Sequence, residues 1–303
     1  DIVNANDNDS AHSIAGGDGN DTITFAIAGA ATPTFDGGDG FDTIAISGDY
    51  KGNAQNMFTN IERVQLTAVS TISAAQFAND NIFELESTAG GAVLTVINTG
   101  AAGTTIDASG LSFDIGAVAT TVLTGGDFAT GDTITGSESN DVIDAGTGND
   151  TITTGTGADD IQYTTGADGV DTITDFVSGT DDYQTNFAQT GGAANDTSGA
   201  VNLSAALTID TANDALHQVT GVTLSTADAS NDSKVLAAIS NGTVSVTATT
   251  NKVLLSVVTS TTTFLYEVTE GTGTGDTTVE VGDLNLVGIF TNGVTLVAGD
   301  LIL

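Results

Sequence analysis

Aspartates recur every nine residues in the middle of the chain, and this spacing limits the possible folds more than any other feature. The unbroken series, in which an isoleucine follows each aspartate by two residues, is Asp132, Asp141, Asp150 and Asp159. An α-helix repeats its apolar face about every three to four positions, so one apolar residue in nine does not fit a helix. The spacing fits half of one coil of a β-solenoid.

Two complete copies of a nine-residue pattern lie nearer the amino terminus. They follow Gly-Gly-x-Gly-x-Asp-x-apolar-x, as GGDGNDTIT at Gly16–Thr24 and GGDGFDTIA at Gly37–Ala45. Glycine supplies the positive φ and the close backbone approach of a tight turn, and the residues around the apolar position form a short strand. Two units make one coil, and successive coils stack as parallel strands about 4.8 Å apart.

Stacked turns place aspartates above one another, so that Asp132 lies over Asp150 and Asp141 over Asp159. These carboxylates repel one another unless a cation lies between them. Carboxylates and glycine carbonyls offer only oxygen ligands, of which Ca²⁺ takes about 6–8. The pattern therefore predicts that several calcium ions stabilise the fold. Cysteine is absent, which excludes disulfides and Cys-ligated zinc.

The nonapeptides resemble those of the repeats-in-toxin (RTX) family, whose members fold as calcium-filled parallel β-rolls and leave Gram-negative bacteria by type I secretion. The resemblance covers repeats at residues 16–45 and 127–174. It implies calcium binding through the carboxylate at position six of each unit and through carbonyls of the glycine turns. The residues so implied are Gly17, Gly19, Asp21, Gly38, Gly40, Asp42, Asp132, Asp141, Gly146, Gly148, Asp150, Gly155, Gly157, Asp159, Gly169 and Asp171.

Some units depart from this pattern. Ser137 and Ser139 replace glycines, Ala145 and Thr154 replace the first glycine of two units, and the unit at Asp127–Thr135 has almost no glycine turn. These departures predict weaker or empty sites.

The fold class expected is all-β. A parallel β-roll or β-solenoid with calcium-binding turns occupies residues 1–187, and a C-terminal β-rich capping domain occupies residues 188–303, with the boundary near Phe187.

Between residues 50 and 126 apolar clusters recur about once per coil and are interpreted as further rungs, with a globular insertion as the alternative. These clusters are Ile61–Leu66, Ile82–Leu85, Val93–Ile97, Ile106 and Val122–Leu123. A short helix is expected at Ser73–Asn79.

The C-terminal part shows alternating apolar and polar residues typical of strands that cover the open end of a solenoid. The predicted strands are Val244–Thr249, Val253–Val258, Phe264–Val268, Leu284–Ile289 and Val294–Leu303. A helix is predicted at Asp228–Ser240. The end, Ala298–Leu303, is similar to the uncleaved export signals of the family, and a plain edge strand is the alternative.

Charge excludes several function classes. The chain has 39 acidic and 4 basic side chains and a net charge of −35, so it lacks the clustered Lys and Arg that nucleic acid or anionic lipid requires. No apolar run reaches the roughly 18 residues of a membrane span, so no membrane insertion is predicted.

No catalytic constellation is recognised. His12 and His217 lack a His-Glu-x-x-His frame and are interpreted as polar residues of surface strands. The acid pairs Asp159–Asp160 and Asp181–Asp182 are interpreted as ligands or solvated turns rather than a glycosidase pair. The chain is therefore predicted not to be an enzyme.

The function predicted is that of a secreted, extracellular calcium-binding structural protein that self-assembles into a surface layer on a bacterial cell. Its partners would be calcium ions and further copies of the chain, as an oligomer or a two-dimensional lattice joined by calcium-bridged acidic faces. A cell-surface polysaccharide could be bound through a missing N-terminal region. The alternatives are the C-terminal module of a large adhesin and the calcium or secretion module of an enzyme whose catalytic domain is absent.

Overall fold

The computed structural model describes most of the chain and divides it into two compact units. One unit comprises Asp1–Gly148 and Thr154–Asp160, and the other comprises Asn149–Thr153 and Ile161–Leu303. The described residues are 2–5, 13–25, 33–53, 57–79, 82, 84–87, 92–100, 103–113, 120–126, 128–163, 169–184, 197–198, 207–209, 216–240, 244–246, 253–269, 278–297 and 300–302. The predicted boundary near Phe187 lies outside them and remains a prediction.

The described residues of the first unit form short strands joined by turns, and one helix. Its elements are β1 Ile2–Ala5, β2 Ser13–Asp18, β3 Thr22–Phe25, β4 Thr34–Asp39, β5 Thr43–Asp49, β6 Phe58–Thr59, β7 Arg63–Ser73, α1 Ala74–Asn79, β8 Glu84–Ser87, β9 Val93–Ile97, β10 Thr105–Asp107, β11 Ser112–Phe113, β12 Thr120–Thr124, β13 Thr133–Thr135 and β14 Asp141–Asp144. The strand β16, Asp160–Ile161, contains one residue of each unit.

The chain of the first unit passes alternately between parallel sheets. One sheet has the order β1-β3-β5-β7-β9-β12-β14, a second has β2-β4-β6, and β10 pairs with β13. Successive turns of chain thus add strands to opposite faces, as a β-roll requires. The prediction of an all-β parallel roll is confirmed.

Apolar side chains stack in columns because the strands pair in register. Ile23 pairs with Ile44, and Ile44 with Val64. Each of these three side chains is fully buried. A second column joins Ile72, Val96, Leu123 and Ile143 through the middle of the unit.

The region without complete repeats also forms coils. The strands β7, β8, β9, β10 and β12 all pair in parallel, so the described residues between 57 and 124 continue the roll. The long strand β7 pairs with β8 through Arg63–Leu66 and with β9 through Ser70–Ser73. The helix predicted at Ser73–Asn79 is α1.

The second unit combines parallel and antiparallel pairing. Its elements are β15 Thr151–Thr153, β17 Asp171–Ile173, β18 Asp182–Gln184, β19 Thr197–Ser198, β20 Leu207–Ile209, β21 Leu216–Thr220, α2 Asp232–Ile239, β22 Val244–Val246, β23 Val253–Val258, β24 Thr263–Val268, β25 Leu284–Phe290 and β26 Leu301–Ile302. One sheet runs β15-β17-β25-β24-β23-β21-β19. In it β25 is parallel to β17 and antiparallel to β24.

Beyond the repeats, this unit has an apolar core of its own. Phe264, Tyr266 and Val219 lie in it with Val235 and Ile239 of α2, all at most 1% exposed. The helix begins later than predicted, at Asp232 instead of Asp228. The side chain of Asn231 accepts the Lys234 N–H at 3.2 Å and so fixes the first turn.

The strand predicted at Val294–Leu303 is wrong at residues 294–297, which form no strand. Among the described residues of this range, Leu301–Ile302 form a strand that pairs in parallel with β18. The cause is a turn built on Asp300, whose Oδ2 accepts the Val297 N–H at 2.7 Å. Of the strand predicted at Val244–Thr249, the structure describes Val244–Val246, which is β22.

Candidate calcium sites

Glycine turns of successive coils lie in direct contact. Gly17 pairs with Gly38, and both have positive φ, 107° and 102°. A Cβ atom on Gly38 would clash with the carbonyl oxygen of Gly17, so no larger residue fits without moving the backbone. All nine glycines predicted to bind calcium have positive φ: Gly17, Gly19, Gly38, Gly40, Gly146, Gly148, Gly155, Gly157 and Gly169.

All seven predicted aspartate ligands are buried. Their exposed fractions are at most 2%, at Asp21, Asp42, Asp132, Asp141, Asp150, Asp159 and Asp171. Such burial of carboxylates is costly unless hydrogen bonds or a cation compensate it.

One carboxylate oxygen of the aspartate forms a ladder along the stacked coils. The Asp21 N–H donates to Oδ1 of Asp42 at 2.7 Å. The Asp150 N–H likewise donates to Oδ1 of Asp171 at 2.8 Å. Each bond links one coil to the next and orients the carboxylate.

The second carboxylate oxygen, Oδ2, and a backbone carbonyl oxygen of the next coil both lie beside a glycine. A Cβ on Gly16 would lie 2.6 Å from Oδ2 of Asp21 and would clash with the carbonyl oxygen of Gly37 in the next coil. Two oxygens therefore converge on a space that glycine keeps open. This is an arrangement that a hard cation can bridge.

The same arrangement recurs in the second block of repeats. A Cβ on Gly125 would lie 2.9 Å from Oδ2 of Asp132 and would clash with the Ala145 carbonyl oxygen. On Gly136 it would lie 2.8 Å from Oδ2 of Asp141 and would clash with the Thr154 carbonyl oxygen. Ala145 and Thr154 thus keep the carbonyl despite replacing the first glycine.

Ser137 changes the site at Asp141. Its N–H donates to Oδ2 of Asp141 at 2.6 Å, and its hydroxyl lies 3.0 Å from Oδ1 and 2.9 Å from Oδ2. Burial nevertheless raises the pKa of Asp141 to about 6. Burial also raises the pKa of Asp132. In the calcium-free protein these two carboxyls are harder to ionise than ordinary aspartates.

Backbone ligands are needed as well as carboxylates. In the described part of the chain, no group of three or more His, Cys, Asp or Glu side chains could hold a metal ion. A cation in these turns would therefore draw ligands from the carbonyl oxygens that the glycines bring close.

A family model for the RTX calcium-binding nonapeptide repeat matches the chain in four copies, within residues 13–25 and 128–161. The chain carries RTX calcium-binding repeats in these segments. RTX nonapeptides bind Ca²⁺, and the convergent oxygens around Gly16, Gly125 and Gly136 fit that ion. No curated protein and no solved structure matches the chain.

RTX repeats are typical of secreted bacterial proteins. No helix among the described residues has the length and apolar character needed to cross a membrane.

Sequence reasoning missed several residues of these turns. The carbonyl oxygens that face Oδ2 belong to Gly37, Asn60, Ala145 and Thr154. Gly37, Ala145 and Thr154 each stand first in their nonapeptide. Asparagines at position five of the nonapeptides form a second ladder. Oδ1 of Asn140 accepts the Ala158 N–H at 3.0 Å, and Oδ1 of Asn149 accepts the Val170 N–H at 3.0 Å.

The interpretation of His217 as a surface residue is wrong. It lies on β21 and is 4% exposed, because that strand is flanked by β19 and β23 in the sheet. His12 and the glycine-rich stretch 271–276 lie outside the described residues.

Proposed function

We propose that this calcium-binding RTX protein is secreted and self-assembles into a lattice on a bacterial cell surface, with a structural role and no catalytic one. The observation that carries this proposal is that Lys51, Arg63 and Lys234 each form an ion pair with an acidic side chain of the same chain. Lys51 pairs with Asp49 at 2.6 Å, and Arg63 pairs with Glu84 at 2.7 Å. Lys234 pairs with Asp228.

These pairs leave little positive charge for contact between copies. The fourth basic residue, Lys252, lies outside the described residues, and the net charge is −35. Two such surfaces repel one another in the absence of a bridging cation. Calcium would therefore act twice, inside the coils and between copies.

Electron microscopy and sedimentation velocity of the purified chain test the proposal. With calcium at about 10 mM, well above the range of about 10⁻⁴–10⁻³ M typical of extracellular sites, we expect ordered two-dimensional sheets. Sodium chloride at the same ionic strength screens repulsion without bridging carboxylates and should give no sheets. A chain that folds but stays monomeric at high calcium would overturn the lattice proposal and favour an adhesin module.

A further inference from the structure

The third coil of the first unit departs from the nonapeptide pattern. Phe58 pairs with Phe35 and Thr59 with Asp36, as in a regular coil. The glycine turn is then replaced by a shorter segment, Asn60–Glu62. Within the described chain, Asn60 is the residue other than glycine with positive φ, 53°. Neither Asn60–Glu62 nor the preceding turn Gly37–Asp42 is matched by the repeat family model.

Asp42 has one satisfied and one unsatisfied carboxylate oxygen. Its Oδ1 accepts the Asp21 N–H. Its Oδ2 is buried and has no hydrogen-bond partner, and the residue as a whole is 0% exposed. An ionised carboxylate oxygen in such a place is costly without a cation or a donor.

The space beside this oxygen is bounded by further oxygens. A Cβ on Gly37 would lie 2.6 Å from Oδ2 of Asp42 and would clash with the carbonyl oxygen of Asn60. The Asn60 side-chain amide is turned to Asp36, to whose Oδ1 its Nδ2 donates at 2.8 Å. The backbone carbonyl of Asn60 thus takes the place that the Gly37 carbonyl has in the preceding coil.

Glu62 takes the place of the next aspartate in the ladder. Its Oε2 accepts the Asp42 N–H at 2.7 Å, as Oδ1 of Asp42 accepts the Asp21 N–H. A glutamate is long enough to reach this position from the shortened turn. The nearby cation of Arg63 is engaged elsewhere, by Glu84 at 2.7 Å and over the Phe41 ring at 5.1 Å from its centroid.

We propose that Asp42, the Asn60 carbonyl and Glu62 form a further calcium site, one step beyond the last complete nonapeptide of the first block. It would stabilise the join between the calcium-binding coils and the coils that lack the repeat. A cation at this position would offset the charge of the buried, unpartnered Oδ2 of Asp42, and an all-oxygen set favours Ca²⁺.

The test is the number of Ca²⁺ ions bound per full-length chain, measured by native mass spectrometry and calorimetric titration with calcium alone. Glu62→Gln keeps an oxygen that can accept the Asp42 N–H but removes the charge. We expect it to bind one ion fewer, or to bind one ion at least about tenfold more weakly. The matched control, Glu84→Gln, changes a partly buried glutamate that binds Arg63 and should keep the full number. Unchanged number and affinity in Glu62→Gln would overturn the proposal.

A second measurement does not depend on the folding of a variant. Long-wavelength anomalous diffraction from crystals of the unmodified protein grown in calcium should give a peak between Oδ2 of Asp42 and the Asn60 carbonyl. A calcium-loaded crystal with peaks at the nonapeptide turns and none here would refute the site. Neither measurement requires lattice assembly. A negative result would refute this calcium site and leave the lattice proposal standing, and a chain that forms no lattice would leave this site standing.

Discussion

The backbone N–H of Asp141 donates a 2.8 Å hydrogen bond to Oδ1 of Asp159, eighteen residues later. The bond joins equivalent positions of adjacent coils. These positions are eighteen residues apart because one coil contains two nine-residue units. Asn140, one position earlier, bonds to the N–H of Ala158 in the opposite direction along the stack. The two ladders connect the turns of adjacent coils.

Replacement of Asp159 separates the roles of its charge and its hydrogen bond. Asp159→Asn keeps an oxygen for the Asp141 N–H, so the calcium-free protein should keep its stability while calcium binding weakens at least about tenfold. Asp159→Ala also leaves a buried N–H without its acceptor and should cost a further ~1–3 kcal/mol of unfolding free energy. Urea denaturation with and without calcium measures both effects. Equal behaviour of the two variants would contradict this division.

A methyl group at Gly136 should damage both packing and calcium binding. It would clash with the Thr154 carbonyl oxygen and lie 2.8 Å from Oδ2 of Asp141. We expect Gly136→Ala to lower the unfolding free energy by ~1–3 kcal/mol, as overpacking does, and to weaken calcium binding. Gly110 is the control, because a Cβ there meets nothing within 4 Å. In thermal unfolding, Gly110→Ala should be about as stable as the unmodified protein. An equal loss of stability in both variants would contradict the crowding at Gly136.

Calcium and protons should compete at Asp141. Burial raises its pKa from 3.8 to about 6, so its contribution to the stability of the calcium-free protein is greatest at low pH and is lost as pH rises through about 6. Calcium binds the ionised form, so its affinity should rise over the same interval. Calcium titrations at several pH values measure this change.

The variant Asp141→Asn distinguishes the pH effect of this one carboxyl from the pH effect of the other acidic side chains. It should flatten part of the pH dependence of stability in the calcium-free protein. A pH profile identical to that of the unmodified protein would show that Asp141 does not titrate as the burial implies.

Asp300 should stabilise the second unit through two backbone bonds. It is fully buried, and its Oδ1 accepts the Gly179 N–H at 2.6 Å while its Oδ2 accepts the Val297 N–H at 2.7 Å. Asp300→Ala leaves both donors without this acceptor and should cost ~2–5 kcal/mol, whereas Asp300→Asn keeps one acceptor and should cost less. Differential scanning calorimetry at fixed calcium gives the order of the variants, and a reversed order would be inconsistent with these contacts.

The strictly periodic part of the fold could be predicted from the sequence because every coil repeats one local rule. Ile134, Ile143, Ile152 and Ile161, each two residues after a ligand aspartate, are all fully buried. The rungs without glycine turns could also be predicted, since apolar columns need only one inward residue per strand. The short helix α1 was predicted within one residue.

Long-range pairing could not be predicted in this way. Ile173 of the last repeat strand pairs with Phe290, and Tyr183 with Leu301, although more than a hundred residues separate the partners. No local period links them. Glu62 was missed for a related reason, because its role follows from its place above Asp42 and the shortened turn removes the nonapeptide spacing.

Far-ultraviolet circular dichroism of the full chain before and after calcium chelation tests most directly the claim that calcium bridges the buried aspartates and the facing carbonyls. We predict that chelation lowers the β signal without abolishing it, that millimolar calcium restores it, and that sodium chloride of equal ionic strength restores little. A spectrum unchanged by complete removal of calcium, with calcium content checked by atomic emission, would contradict the claim.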